Sequence, residues 1–564
     1  MLDELRSASD ALNAALDRYL DICTSIRQHY CKGDNNVSRD LEGLSLIANE
    51  VLLITSFKTK IHQADAAISL VRNTMPTVVP INALPEEILS RIFHLVTYGE
   101  PCKFHHTYEY PAYPTLLTHV CSRWRQAAIN SPTLWSHIDL SSHGFRGSGE
   151  PHERHLAHAK TYLARAGQAQ LDIHVAEDFP HGLYVHDVRI SDFLIPLASR
   201  MRSLEIHIEL ESDNRPDAYK SGYTLCDDIL SCCLIICTPG TLKHLMIAPK
   251  GDGNGSFIQS RDVPEDTIVG DWSPKSTLDI DMKEQELEGL LFPITRLRLS
   301  GRFPHWSSRA YHGLTELRLY PHGSITRIPD FQFTTMLAES PQLEIFEFGL
   351  DIDRSVSRPP PVHMNNLRVL VINTDALNAF LPLIALGPQP IAVSLTKPRS
   401  LYLTGRTLVK KHPQVGPFLS SCNITDFYAR DFETLLEISY LVDSMPNLRT
   451  LALNIRDAVG HLDARPEERL FASRISLDIL YLVGQIQIHY DNLVIMLKEY
   501  HVKKLVLGWD FAINSDIGFG LVTRKDVEEE MTDLGVDVEF YSPLDTHPTD
   551  YFGHTFASYE SSLI

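Results

Sequence analysis

Basic residues are scarce in this chain of 564 residues: 51 Lys and Arg stand against 71 Asp and Glu, a formal net charge of −20. Binding a phosphate backbone needs a concentrated basic surface, so the balance argues against a general nucleic-acid binder and leaves room only for a local basic patch. Cysteine is sparse as well, with nine residues. Cys23, Cys31, Cys102, Cys121 and Cys422 are scattered, while Cys226, Cys232, Cys233 and Cys237 share an apolar stretch. This usage predicts buried, reduced thiols of an intracellular protein, cytoplasmic or nuclear, rather than a disulfide framework. No uninterrupted apolar run reaches the roughly 20 residues of a membrane span. Asp3, Glu4, Arg6 and Asp10 interrupt the opening where a signal peptide would be apolar. The sequons at Asn36, Asn254 and Asn423 therefore carry no weight.

Catalytic signatures are also missing. The clustered cysteines contain no CxxC pair and fall at helix-like steps among Leu225, Ile229 and Leu234, so a buried helix is expected there and not a zinc site. His152, His155 and His158 repeat every three residues without a thiolate or an HExxH frame, and His105 and His106 near Cys102 are no stronger. Gly251 to Gly255 lacks the Gly-Lys-Ser/Thr ending of a phosphate loop. With no nucleophile elbow or kinase signature, neither an enzyme nor a cofactor or metal site is expected.

What the chain does have is an ordinary globular composition, 44% hydrophobic and 22% charged, over a length that implies several domains or a repeat array. Its opening carries Leu2, Leu5, Ser9, Leu12, Leu16, Tyr19, Cys23, Ile26 and Tyr30 at alternating steps of three and four. That heptad seam predicts a helix. Gly33 to Asn36 break it, and Leu41, Leu44, Ile47, Val51, Ile54, Ile61 and Ile68 mark a second helix ending near Asn73, ahead of Pro76. Residues 1–75 thus read as a helical hairpin, either a dimerising coiled coil or a pair closed on itself.

Residues 81–140 hold three motifs in order. The first is Leu84-Pro85-Glu86-Glu87-Ile88-Leu89 followed by Ile92-Phe93, where the proline and the two glutamates suit a helix start. Val120-Cys121-Ser122-Arg123-Trp124-Arg125-Gln126-Ala127-Ala128 follows, and Pro132-Thr133-Leu134-Trp135 closes the segment. Together they resemble the F-box, a small all-α module. The resemblance implies docking on a Skp-type adaptor, and through it on a cullin, by Leu84, Pro85, Ile88, Leu89, Ile92, Val120, Trp124, Leu134 and Trp135. For Phe93, Val120 and Trp124 core packing competes with that role. The stretch 97–115 is longer than the usual turn between the first two helices.

After a Gly- and Ser-rich linker over 141–150, a helix over 152–166 and a strand over 171–175, the pattern apolar-x-x-apolar-x-apolar recurs. Complete copies are Met201/Leu204/Ile206, Leu242/Leu245/Ile247, Ile294/Leu297/Leu299, Leu314/Leu317/Leu319 and Leu343/Phe346/Phe348. Leu367/Leu370/Ile372, Ile424/Phe427/Ala429, Leu448/Leu451/Leu453 and Val502/Leu505/Leu507 continue the series, with partial copies at Leu401/Leu403 and Leu477/Ile479. Several neighbouring copies lie about 20 to 31 residues apart, so residues 151–541 resemble a degenerate leucine-rich-repeat α/β solenoid. Residues 248–290 fit no copy and read as a polar loop, and 542–564 as a polar, aromatic tail. In such a solenoid Arg296, Arg298, Glu316, Arg318, Tyr320, Glu347, Tyr402, Tyr428 and Arg430 line the concave face. The arginines there either meet an acidic or phosphorylated protein substrate or simply face water.

The expected architecture is multidomain: hairpin, F-box, leucine-rich-repeat-like domain and tail. The resemblance implies a non-catalytic substrate-recognition subunit of an SCF-type ubiquitin ligase acting in ubiquitin-dependent degradation. A scaffold using the same protein–protein surfaces without ubiquitylation, or an unrecognised enzyme in the C-terminal region, are the alternatives.

Overall fold

The computed structural model describes residues 1–31, 41–75, 78–98, 114–141, 151–179, 190–210, 216–250, 256–262, 276–320, 327–398, 408–432, 435–455, 475–483, 487–507, 512–514, 531 and 534–540. Tyr402, the partial copy Leu401/Leu403, most of the 97–115 stretch, linker residues 142–150 and the 542–564 tail lie outside them. The chain divides into two compact units, Met1–Ile92 and Phe93–Ile564. The division falls inside the segment 81–140.

In the first unit, helix α1 spans Leu2–Cys31 and α2 spans Leu41–Thr74. Asp3 and Glu4 complement the positive end of the α1 dipole. The Tyr19 hydroxyl donates to Glu50 (2.8 Å) and its ring meets Phe57 edge-on, so the two helices do pair. The seam is thin all the same: Leu12 is 51% exposed, and Leu5, Leu16, Ile61 and Ile68 are exposed too. A 3-10 turn over Pro80–Ala83 follows, where the Asn82 amide donates to the carbonyl of Asn73. Helix α3, Glu86–Tyr98, then starts behind Pro85.

In the second unit the motif Val120–Ala128 is not one continuous helix. α4 covers Leu117–Val120 and α5 covers Ser122–Ile129, separated by Cys121 in an extended conformation (φ −157°). The Cys121 thiol caps α5 by accepting from the Trp124 N–H. Arg125 Nε reaches back 2.8 Å to the Thr118 carbonyl and ties the two short helices together.

Among the described residues, the second unit carries a fourteen-stranded sheet whose pairs are all parallel. Its first strands are β1 (His137–Ser141), β2 (Leu171–Phe179), β3 (Met201–Leu210), β4 (His244–Lys250) and β5 (Arg296–Ser300). The middle is β6 (Glu316–Tyr320), β7 (Ile345–Phe348), β8 (Val369–Ile372), β9 (Ile391–Thr396) and β10 (Ile424–Phe432). It ends with β11 (Thr450–Ile455), β12 (Ile479–Val483), β13 (Lys504–Leu507) and β14 (Asp537–Phe540). The strands lie side by side in chain order.

Every residue of the nine complete repeat copies is buried. In register, Leu204, Leu245, Leu297, Leu317, Phe346 and Leu370 form one row across six strands, continued by Val393, Phe427, Leu451, Leu480 and Leu505. A fully buried side chain of this size contributes roughly 1.5–3 kcal/mol, so the row is the backbone of the core. Helices close over this face. Phe333, on the helix Asp330–Ala338, packs against Phe346 and Phe348 with centroids 6.1 and 5.0 Å away. Asparagines stitch neighbouring strand repeats at the strand entries: Asn447 Nδ2 donates to Asn423 Oδ1 (3.1 Å), Asn423 to the Pro388 carbonyl (3.1 Å) and Asn366 to the Pro341 carbonyl (2.9 Å).

Three expectations are corrected. The copy at Leu477 runs through Leu480 and Leu482, because Ile479 takes the opposite face. Strand β9 was not expected at all, since Ala392 and Ser394 break up its apolar pattern. Residues 248–290 are not a polar loop: Ser256–Ser260 and Ser276–Ile280 pair parallel with each other, Arg302–Pro304 joins them, and Phe257 and Ile258 are buried. The helix Glu284–Leu291 completes the stretch. The cysteine cluster is helical as expected: the helix Pro216–Ile236 buries Cys226 and Cys233, and burial pushes the Cys226 thiol up to about 12. Among the described residues no helix is long and apolar enough to cross a membrane.

Candidate functional site

The residues expected to dock an adaptor divide by exposure. In the first unit Pro85 is exposed, Ile88 is 45% exposed, Leu84 and Ile92 are half-buried, and Leu89 is fully buried. In the second unit Val120 is 59% exposed, with Leu95, Val96 and Leu116 also exposed nearby in the chain. Those three were not among the expected contacts, although they are apolar residues next to the motifs. Trp124 is half-buried and stacks at a tilt on Phe93, 5.0 Å between centroids. Leu134 and Trp135 are buried.

Trp135 is held from several sides. Its indole N–H donates to the Ala128 carbonyl (2.7 Å), the Tyr162 ring meets it edge-on and the Arg165 guanidinium lies 4.2 Å from its centre. Such a side chain organises the end of the helical segment and has no free surface to offer a partner. His94 Nε2 lies 3.1 Å from Thr133 Oγ1 and 3.3 Å from Ser131 Oγ, and burial lowers its pKa.

The second candidate surface is the sheet face opposite the leucine rows, reached by alternation along each strand. Its central row reads Asp139, His174, Glu205, Met246, Arg298, Arg318, Glu347, Val371, Ser394, Tyr428, Ala452 and Tyr481. Arg298 and Arg318 do come together on adjacent strands. Both are already engaged: Glu316 Oε1 accepts from Arg298 Nε (2.7 Å) and Arg318 Nε (2.5 Å). Glu347 Oε2 accepts from Arg318 Nη1 (3.2 Å) and from the Tyr320 hydroxyl (2.9 Å).

Arg318 is only 2% exposed and Tyr320 is buried. Burial by itself raises the Glu316 carboxyl, but Arg298 and Arg318 outweigh it and hold it at about 2. For Glu347 burial wins and its pKa is raised. An anionic ligand would have to displace two carboxylates to reach these guanidiniums. Arg296 alone of the named arginines is exposed.

Further along, Tyr428 is buried among Val369, Val371, Ala392 and Ala452, an apolar centre flanked by Ile345 and Tyr481. Arg430 is nearly buried too. Beside it Asp431 adopts φ 58° where the pairing of β10 with β11 shifts register, a local bulge. At the other end, β1 to β3 gather His137, Asp139, His174, Glu205 and His207. Sequence reasoning passed over these five because each strand carries only a two-residue alternation. The only available signal was its repetition on three strands.

No family model and no curated protein matches this chain.

Proposed function

We propose that the chain is a substrate-recruiting subunit of a cullin-based ubiquitin ligase. Residues 81–140 act as an F-box on a Skp-type adaptor, and the strand-rich region acts as a leucine-rich-repeat-like solenoid that selects a protein substrate. The observation that carries this reading is the ordered triple motif, with Leu84 to Leu89, Val120 to Ala128 and Pro132 to Trp135 inside one segment. The exposed apolar side chains of Ile88 and Val120 support it, since a docking helix needs uncovered hydrophobic anchors. Leu89, Leu134 and Trp135 then serve the module by shaping it from inside, and Pro85, Ile88 and Val120 carry the contact. The regular strand rhythm supports the second half of the reading.

The mechanism is proximity. A substrate held near a charged ubiquitin-conjugating enzyme presents its lysines at high effective concentration, and the covalent steps belong to other subunits. The test is co-purification of the full chain with a Skp-type adaptor, wild type against Ile88→Asp and Val120→Asp. Both substituted positions are solvent-exposed, so folding should be spared. A complex that weakens at least about 10-fold in each variant supports the reading; a folded wild type that forms no complex removes it. If the complex forms but no bound partner turns over in a ubiquitin-dependent way, the chain is a scaffold.

A further inference from the structure

Three consecutive strands alternate the same residue types. They carry His137-Ile138-Asp139 on β1, Asp172-Ile173-His174 on β2 and Glu205-Ile206-His207 on β3. Each central isoleucine is buried in the leucine face, so its neighbours all emerge on the other side. The register sets Asp139, His174 and Glu205 directly opposite one another. Adjacent strands run about 4.8 Å apart, within reach of a shared ligand.

The side chains converge as the backbone allows. His137 Nε2 lies 2.9 Å from Asp139 Oδ1, and His174 Nδ1 lies 3.3 Å from the same oxygen. One ligand atom from each of the three falls within 4.8 Å of the others. A second group, His174 with Glu205 and His207, meets the same limit and shares His174, whose ring stands edge-on to that of His207 at 5.5 Å. His174 is only 4% exposed.

Zinc bonds nitrogen and carboxylate oxygen at about 2.0–2.2 Å, which sets neighbouring ligand atoms of a tetrahedral site roughly 3.3 Å apart. The two separations from Asp139 Oδ1 are close to that edge. An ion would exchange hydrogen bonds for coordination without moving the strands. Two imidazoles and a carboxylate suit zinc and its neighbours, whereas magnesium and calcium want oxygen throughout.

We propose that His137, Asp139 and His174 bind one divalent ion of the zinc class at the β1 edge of the sheet, with Glu205 and His207 as neighbouring donors on β3. The ion would brace the first three strands, and the assignment stands whether or not the ligase reading holds.

Tag-free full-length chain, stripped with a chelator, is titrated calorimetrically with zinc sulfate and separately with magnesium chloride. One equivalent of zinc and no magnesium is expected, with a zinc-dependent rise in Tm. His174→Ala and Asp139→Asn should each weaken zinc binding at least about 10-fold. Because His174 is buried, His137→Ala provides a variant whose side chain lies at a half-exposed position. It should lose zinc affinity while its far-UV circular dichroism stays unchanged. His152→Ala/His155→Ala should bind zinc like wild type; loss of binding in that variant would put the ion on the helix and overturn the proposal. Equal zinc binding by wild type, His174→Ala and His137→Ala, or none by wild type, would also overturn it.

Discussion

On one face of the fourteen-stranded sheet a single residue class runs unbroken from Ile138 to Leu505. On the other face the chemistry changes every few strands, from a histidine–carboxylate group to an arginine–glutamate network to an apolar centre around Tyr428. The backbone is the same for both. Hydrophobic burial is non-directional, so any apolar side chain of suitable volume serves the first face. Hydrogen bonds and ion pairs are directional, so each polar group of the second face depends on a named neighbour.

The contrast can be broken most forcefully from the apolar side. Phe346→Ala removes a fully buried ring from the middle of the row and is expected to cost about 3–5 kcal/mol in denaturant unfolding. A cost below about 1 kcal/mol would mean that the row is loosely packed. On the polar face, Glu316→Ala leaves Arg298 and Arg318 without their shared acceptor and is expected to cost about 3 kcal/mol or more. Replacing Glu316, Arg318 and Glu347 together with apolar residues of similar volume should recover much of that loss, which a double comparison of melting curves would reveal.

The same network has a pH signature. Glu316 ionises in the fold at about 2, below its unfolded range near 4.5, so its contribution is complete above the unfolded value. Stability should fall as pH drops from about 4.5 towards 2, and Glu316→Gln should flatten that window. Acid titration of both proteins by circular dichroism decides it; parallel curves would show that the pair carries no such load. A smaller effect is expected at the strand entries, where Asn447→Ala removes one exposed hydrogen bond between neighbouring strand repeats and costs about 0.5–1.5 kcal/mol at most.

How far the molecule was legible depends on how local each signal is. Leu314, Leu317 and Leu319 declare a strand within six residues, and their copies repeat, so the leucine face could be read directly. Ala392 and Ser394 hid β9 because a strand flanked by partners on both sides needs no strong pattern of its own. Phe257 and Ile258 hid inside a polar stretch because their strand belongs to a separate small sheet. Cys121 separates α4 from α5 within the motif Val120 to Ala128 by capping α5 through its thiol, a local role usually taken by serine, threonine, asparagine or aspartate and one that cysteine does not signal. From its motif Trp135 is expected as an adaptor contact, and only the Ala128 carbonyl and the Tyr162 ring show that it is held in the core.

By itself, then, the sequence determined that this protein pairs helices near residues 1–75, carries three ordered motifs in residues 81–140 and repeats an apolar strand between Met201 and Leu507. Those features follow from periods of two to seven residues, which the chain carries locally. Tertiary structure alone decided that Arg318 answers Glu347 on the neighbouring strand, and that Asp139 meets His174. Both outcomes depend on parallel register between segments about 20 to 35 residues apart, where a shift of one residue would turn every such side chain to the other face.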